Sequence, residues 1–279
     1  MKKIKYYLRD NSKYLPLLYS KLFILNNENK YLFKKINQFK NIHKNNTCYI
    51  LGTGPSIKKF DIKKLKNEYV IGTNFFFLHP DFKYLNKKYI CSAPSHMPLN
   101  YDIWDNLLTK LQDHDISQIF IGDSNYEYSI GNFLKNNKDK KLHNLCLLNY
   151  HSSPIVNSNN INFSNLHDLS VGPLISPVTT LVTALQIAYY MGFTKINLLG
   201  IDHDNLNPAK NSDASNSHFY SEDQNHETHI KYDNKTSIFK WLYQAWTQYE
   251  ILNEFYRLNK TEIINLNKES YLDVFDKVN

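Results

Sequence analysis

The chain is short of several residue types. Eight glycines serve 279 residues, only two arginines occur (Arg9 and Arg257), and three cysteines, Cys48, Cys91 and Cys146, stand far apart. An odd number of widely spaced cysteines excludes a disulfide framework and a zinc spacing, and predicts reduced, mostly buried thiols in a cytoplasmic protein. With two arginines, bidentate guanidinium recognition of phosphate is nearly absent. An anionic ligand must then be held by lysine, hydroxyls, asparagine or backbone N–H groups. No run approaches the roughly 18 uninterrupted apolar residues of a membrane-spanning helix. The lysine-rich start lacks the apolar stretch and small-residue cleavage site of a secretory leader, so export is not expected. What is present is a core: 42% of residues are hydrophobic and 14% aromatic, which excludes wholesale disorder.

Charge is unevenly placed. Residues 1–46 carry eleven Lys/Arg against Asp10 and Glu28, a balance of +9, while the remaining 233 residues carry 22 basic and 24 acidic groups. The larger part is therefore not expected to bind nucleic acid, which calls for a generally basic face. In the basic part, Leu15, Leu18, Leu22, Leu25, Leu32, Ile36 and Phe39 recur at alternating steps of three and four, interrupted at Asn29. That spacing predicts one apolar stripe along a helix. Such a helix serves equally as a contact with anionic lipid headgroups, as a homo-oligomer seam, or as an ordinary helix packed on its own domain. The expected division is a basic amphipathic helical extension, 1–46, followed by a single domain, 47–279.

After Asn46 the pattern changes to short β-like runs alternating with helical stretches. Strands are predicted at Cys48–Leu51, Tyr69–Thr73, Tyr89–Ser92, Ile116–Ile121, Leu145–Asn149, Lys195–Leu199 and Glu262–Leu266, with helices near Ile103–Leu111, Ile130–Lys135, Val178–Met191 and Ser237–Leu258. This alternation implies βαβ units and an α/β fold with a doubly wound, mainly parallel sheet. Ligands of such sheets bind beyond the carboxyl ends of the strands, so functional candidates should follow strands directly.

Several do. Gly52-Thr53-Gly54-Pro55-Ser56 follows the first strand; its glycines would let backbone N–H groups approach a phosphate, and Ser56 would cap the next helix. No Gly-Lys-Ser/Thr follows, which excludes a Walker loop, and the third glycine of the dinucleotide fingerprint is missing. Asn74 ends the second strand beside Phe75-Phe76-Phe77, and Ser92 closes the third. Thr179 and Thr180 open the Val178–Met191 helix, where hydroxyls and free N–H groups suit a second anionic group, or simply cap the helix. Asp202-His203-Asp204 follows a strand ending in Gly200. Two carboxylates one residue apart resemble the pair that holds Mg²⁺ or Mn²⁺ in many nucleotide-sugar enzymes, although Asp202 alone would serve to fix the loop or orient a ribose. His218, Tyr220, His226 and His229 crowd a polar loop, Asn205–Asn225 and just beyond, long enough to act as a lid. A neutral histidine is the usual base for a sugar hydroxyl, and tyrosine can hydrogen-bond a phosphate leaving group.

In their order, Gly52-Thr53-Gly54-Pro55-Ser56-Ile57, Val70 to Phe77, Met191 to Asp202 and Asn216-Ser217-His218-Phe219 resemble the bacterial sialyltransferases of glycosyltransferase family 42. They are similar also to the related DUF115 group of surface-polysaccharide proteins. The resemblance runs from about Cys48 to Trp246. It implies a Rossmann-like domain of a modified GT-A type and a CMP-activated nonulosonic acid donor. It also implies inversion at the anomeric centre, a glycan or lipid-linked glycan acceptor, and no metal requirement. By position, Thr53 falls on a nucleotide-contacting Asn of that family, Asn74 on its second such Asn, and Thr180 on a donor-contacting Ser. Two positions depart: Pro177 stands where the family has Arg, and its catalytic His falls on Glu222. A base must then come from His218, His226 or His229, with His218 favoured by its neighbour Tyr220. The expected protein is a glycosyltransferase at the inner face of the cytoplasmic membrane. A metal-dependent sugar-diphosphate transferase or pterin diphosphokinase using Asp202 and Asp204, and a non-catalytic scaffold for glycan assembly, are the alternatives.

Overall fold

The computed structural model describes residues 15–96, 99–151, 168–170, 176–204, 218–220 and 235–278. Among them are eight strands: β1 Thr47–Leu51, β2 Tyr69–Thr73, β3 Lys87–Ser92, β4 Gln118–Asp123, β5 Leu145–Asn149, β6 Lys195–Leu199, β7 Glu262–Asn265 and β8 Asp276–Lys277. All pair in parallel in one sheet of order β5-β4-β3-β2-β1-β6-β7-β8. Six helices accompany them: α1 Leu15–Asn26, α2 Lys30–Lys34, α3 Asp102–Leu111, α4 Ile130–Asn136, α5 Thr180–Tyr190 and α6 Lys235–Leu258. The sheet grows outward from β1 in one direction through β5, then resumes at β6 on the other side. The doubly wound reading of the sequence holds, and the topological switch lies between β1 and β6.

Both faces of the sheet are covered, which is why its strands read as near-continuous apolar runs. Alternate residues of a strand point to opposite faces. In β5, Cys146 and Leu148 join the layer of α5 and α6, while Leu145 and Leu147 join the layer of α3 and α4. α5 lies between sheet and α6, so every residue from Leu181 to Ala188 is buried. It stops at Gly192, whose φ of +91° is the left-handed conformation that ends a helix. The three cysteines are free and buried, as their spacing indicates.

The basic N-terminal segment departs from the expected single stripe. Leu22 and Leu25 are 49% and 56% exposed, whereas Ser20 and Ile24 are buried. The reason is Asn29: its N–H donates to Asn27 Oδ1 and its buried amide donates to the Gly131 carbonyl, so the helix breaks and its phase resets. Leu32 and Phe33 then enter the α3/α4 layer, and Ile36 and Phe39 the α5/α6 layer. The segment thus passes around the edge strand β5 and shields it. Asn149 at the end of β5 donates to Ser20 Oγ at 2.7 Å, and Phe23 stacks on His151 at 3.7 Å.

Candidate active site

The switch point is built from two bends in close contact. Gly52 N–H donates to the Leu199 carbonyl and Gly54 N–H to the Gly200 carbonyl, so the pairing of β1 with β6 continues into both loops. A Cβ on Gly52 would sit 2.3 Å from the Gly200 carbonyl oxygen, and one on Gly54 would sit 2.6 Å from an Asp202 carboxylate oxygen. Glycine is required here because the backbones approach too closely for any side chain. The bend that was expected to cradle a phosphate is met by the Asp202 carboxylate. It accepts from Ser56 N–H at 2.8 Å, from the Ser56 hydroxyl, and from the Asn267 amide at 2.8 Å. Ser56 therefore caps no helix with its side chain, and Pro55–Lys59 is a single 3₁₀ turn with proline at its start.

The cleft lies one strand away, past the carboxyl ends of β2 and β3. It encloses about 200 Å³ and is lined by Asn74, Ser92, Pro177, Thr179, Thr180, His218, Tyr220 and Trp241, with Leu99, Ile103 and Leu107 on its apolar wall. Asn74 holds the centre. Its φ of 50° turns the chain sharply at the end of β2, and its Oδ1 accepts from the hydroxyls of Ser92 (3.2 Å) and Thr180 (3.0 Å). The three residues meant to line the donor site thus meet at one carboxamide. Pro177 stays in place because Gln248 of α6 clamps the approach to α5: its Oε1 accepts from Val178 N–H, and its amide donates to the Ser176 carbonyl.

His218 and Tyr220 close the cleft. Thr53 Oγ1 lies 2.8 Å from His218 Nδ1, and Phe219 N–H donates to the Thr53 carbonyl, which ties 218–220 to the β1 bend. The rings of His218 and Tyr220 stack at 5.1 Å with planes 6° apart. Phe75 and Phe76 are buried, as an ordinary core reading of the aromatic run requires, and they receive Tyr220 and Phe219 edge-on. His226, His229 and Glu222 lie outside the described residues.

Asp202 of the Asp-x-Asp pair is held by hydrogen bonds that a cation would have to share or displace. Both oxygens of Asp202 are committed to Ser56 and Asn267, and among the described residues no cluster of three metal-ligating side chains occurs. Asp202 is the loop anchor. The residue between the two carboxylates carries the surprise. His203 has a φ of 50°, its Nε2 faces the Tyr249 hydroxyl at 3.0 Å, and that phenol faces Thr179 Oγ1 at 2.8 Å. Burial pushes the imidazole down to about 4, against a partial upward pull from Asp204. Tyr249, Gln248, Asn267 and Trp241 were not singled out in the sequence. Gln248 and Tyr249 sit on a helix face whose spacing resembles any packed face, and only an adjacent polar pair on an apolar stripe marked them.

No family model matches the chain, and no curated protein matches it. Among solved structures, the chain is similar to the sialyltransferase CstII from Campylobacter jejuni in complex with a substrate analogue, CMP-3FNeuAc. Identity is 20%, 84% of this chain and 86% of that one are covered, and the TM-score is 0.45. It is similar also to the sialyltransferase CST-II in complex with a trisaccharide acceptor and CMP, at 21% identity, 83% and 85% coverage and a TM-score of 0.45. A third is an alpha-2,3-sialyltransferase from Campylobacter jejuni in apo form, at 19% identity, 85% and 82% coverage and a TM-score of 0.43.

Proposed function

We propose that this chain is a glycosyltransferase that takes a nucleotide-activated sugar, CMP-linked and acidic, and transfers it with inversion to a surface glycan. The observation that carries this reading is the convergence of Asn74, Ser92 and Thr180 in a cleft closed by a histidine whose Nδ1 is already held by Thr53. The cleft follows strand ends of a doubly wound sheet, where such folds bind ligands. Thr179 makes no side-chain cap on α5, which leaves the positive end of that helix for the donor's anionic group. In the tautomer where His218 Nδ1–H donates to Thr53, Nε2 carries the lone pair and serves as base. The acceptor hydroxyl gives its proton to Nε2 as its oxygen bonds the anomeric carbon. The bond from that carbon to the phosphate oxygen breaks, and CMP leaves beside the Tyr220 phenol. Every step of this reaction is carried by the side chains named.

The basic excess of residues 1–46 together with exposed Leu22 and Leu25 supports peripheral contact with an anionic membrane, where lipid-linked acceptors would be met. Among the described residues, no helix is long and apolar enough to cross a membrane.

The test is a thermal-shift panel of CMP, UDP and GDP. A ligand at 100 times its Kd adds about 2.7 kcal/mol of stability. CMP is expected to raise the melting temperature and the diphosphates to have little effect. A shift with UDP or GDP alone overturns the CMP assignment, and no shift with any of them favours a scaffold.

A further inference from the structure

Thr179 opens α5 and lines the cleft, yet its hydroxyl makes no cap bond to the helix it opens. A threonine at that position normally turns its oxygen onto the N–H groups of the first turn. Here the oxygen is engaged elsewhere, 2.8 Å from the phenol of Tyr249, which in turn lies 3.0 Å from Nε2 of His203. The chain joins three separate elements: the start of α5, the buried face of α6 and the loop after β6. Tyr249 is completely buried and packed by Trp246 and Phe275; His203 lies edge-on to Trp246 at 5.1 Å.

Interior space of this kind is filled most stably by apolar side chains, because a buried phenol and a half-buried imidazole each need a partner. These two partner one another, and the line they form ends on a cleft residue. Val182 N–H already donates to the Thr179 carbonyl at 3.1 Å. We propose that Tyr249 and His203 are positioning residues of the ligand site, which act by holding the Thr179 hydroxyl away from the first turn of α5 and so leave its earlier N–H groups, those of Thr180 and Leu181, to an anionic ligand group. The inference rests on the nucleotide reading above and deepens it. Losing the phenol frees Thr179 to cap its own helix, and the cap then competes with the ligand for the same donors.

A mutant cycle on the full chain, read by calorimetric titration with CMP, tests this. Tyr249→Phe is expected to weaken CMP about tenfold, the worth of one charge-assisted hydrogen bond. In a Thr179→Val background, where no cap can form, the same tyrosine change is expected to have less than about a twofold effect. Equal losses in both backgrounds, or no loss in the first, overturn the proposal. His203→Gln, whose amide can accept near the Nε2 position, should retain most of the affinity, whereas His203→Leu should lose it as Tyr249→Phe does; equal behaviour of the two also overturns it. Melting temperatures of each variant identify one that fails to fold, and the tyrosine arm alone decides in that case. If the wild-type chain binds no CMP, the nucleotide reading fails first and this inference falls with it.

Discussion

The hydroxyl of Thr53 lies 2.8 Å from Nδ1 of His218, a contact between residues 165 positions apart in the chain. Thr53 is where the bend after β1 reaches the cleft, and its contact fixes which way the imidazole faces.

Under the proposed reaction, His218→Ala abolishes measurable turnover, a loss of about 10²–10⁴, while CMP affinity stays within about twofold. Thr53→Val keeps the ring but releases its orientation, and turnover should drop roughly tenfold at unchanged CMP affinity. Assays with a CMP-activated sugar, paired with CMP titrations, check both. Wild-type turnover in His218→Ala would move the base to His226 or His229.

Asp202 is a structural anchor in this geometry. Asp202→Ala strands Ser56 N–H and the Asn267 amide and should cost about 3 kcal/mol of stability, read as a lower urea midpoint. EDTA should leave the melting temperature of the wild-type protein unchanged. A drop on chelation would restore the metal reading of Asp202 and Asp204.

Gly52→Ala should be among the most damaging small substitutions, by roughly 2 kcal/mol or more, because the new methyl meets a backbone carbonyl that has no rotamer to escape into. Denaturant unfolding measures it, and a cost under about 0.5 kcal/mol would show that the two bends can part freely.

The sheet was legible because burial on both faces writes parallel strands as apolar runs, and β2, β5 and β6 fall where those runs begin and end. β8 was not, since Asp276 and Lys277 carry no apolar signal and pair only because β7 offers an open edge. The N-terminal stripe misled because periodicity cannot see Asn29 donating to Gly131 a hundred residues away. In the site, Asn74, Ser92 and Thr180 were each visible as residues following a strand or opening a helix. That they share one carboxamide oxygen is a fact of the fold alone. The glycine cluster signals a close backbone approach, and the fold makes one to Gly200 and Asp202; sequence alone does not tell that from a close approach to a ligand. His203 was overlooked because the carboxylates on either side drew the chemistry.

Stability should fall on mild acidification. In the unfolded chain His203 takes up a proton near 6.5, whereas burial holds it neutral in the folded protein down to about 4. The unfolded state therefore binds the proton first, and stability, complete above about pH 6.5, is lost as pH falls toward 4, by about 3 kcal/mol in all. His43, His79 and His114, also lowered by burial, act with the same sign. Urea unfolding at pH 7.5 and 4.5 should give a shallower pH dependence for His203→Gln than for the wild type; identical slopes would refute the assignment.

The three cysteines should be silent in the native state. Burial raises all three thiols above their usual range, so little reactive thiolate forms. A colorimetric thiol reagent is expected to register none before denaturant and three after it. Fast reaction of any one under native conditions would contradict its placement in the core.

The path of residues 29–39 around β5 bears on how the protein can be handled. A shortened form starting at residue 47 would strip Leu32, Phe33, Ile36 and Phe39 from both layers at once and lay bare the hydrogen-bonding rim of a largely apolar strand. Such a rim, on a strand buried along its whole length, recruits strands from other molecules, so the trimmed protein should precipitate during expression even with every cleft residue intact.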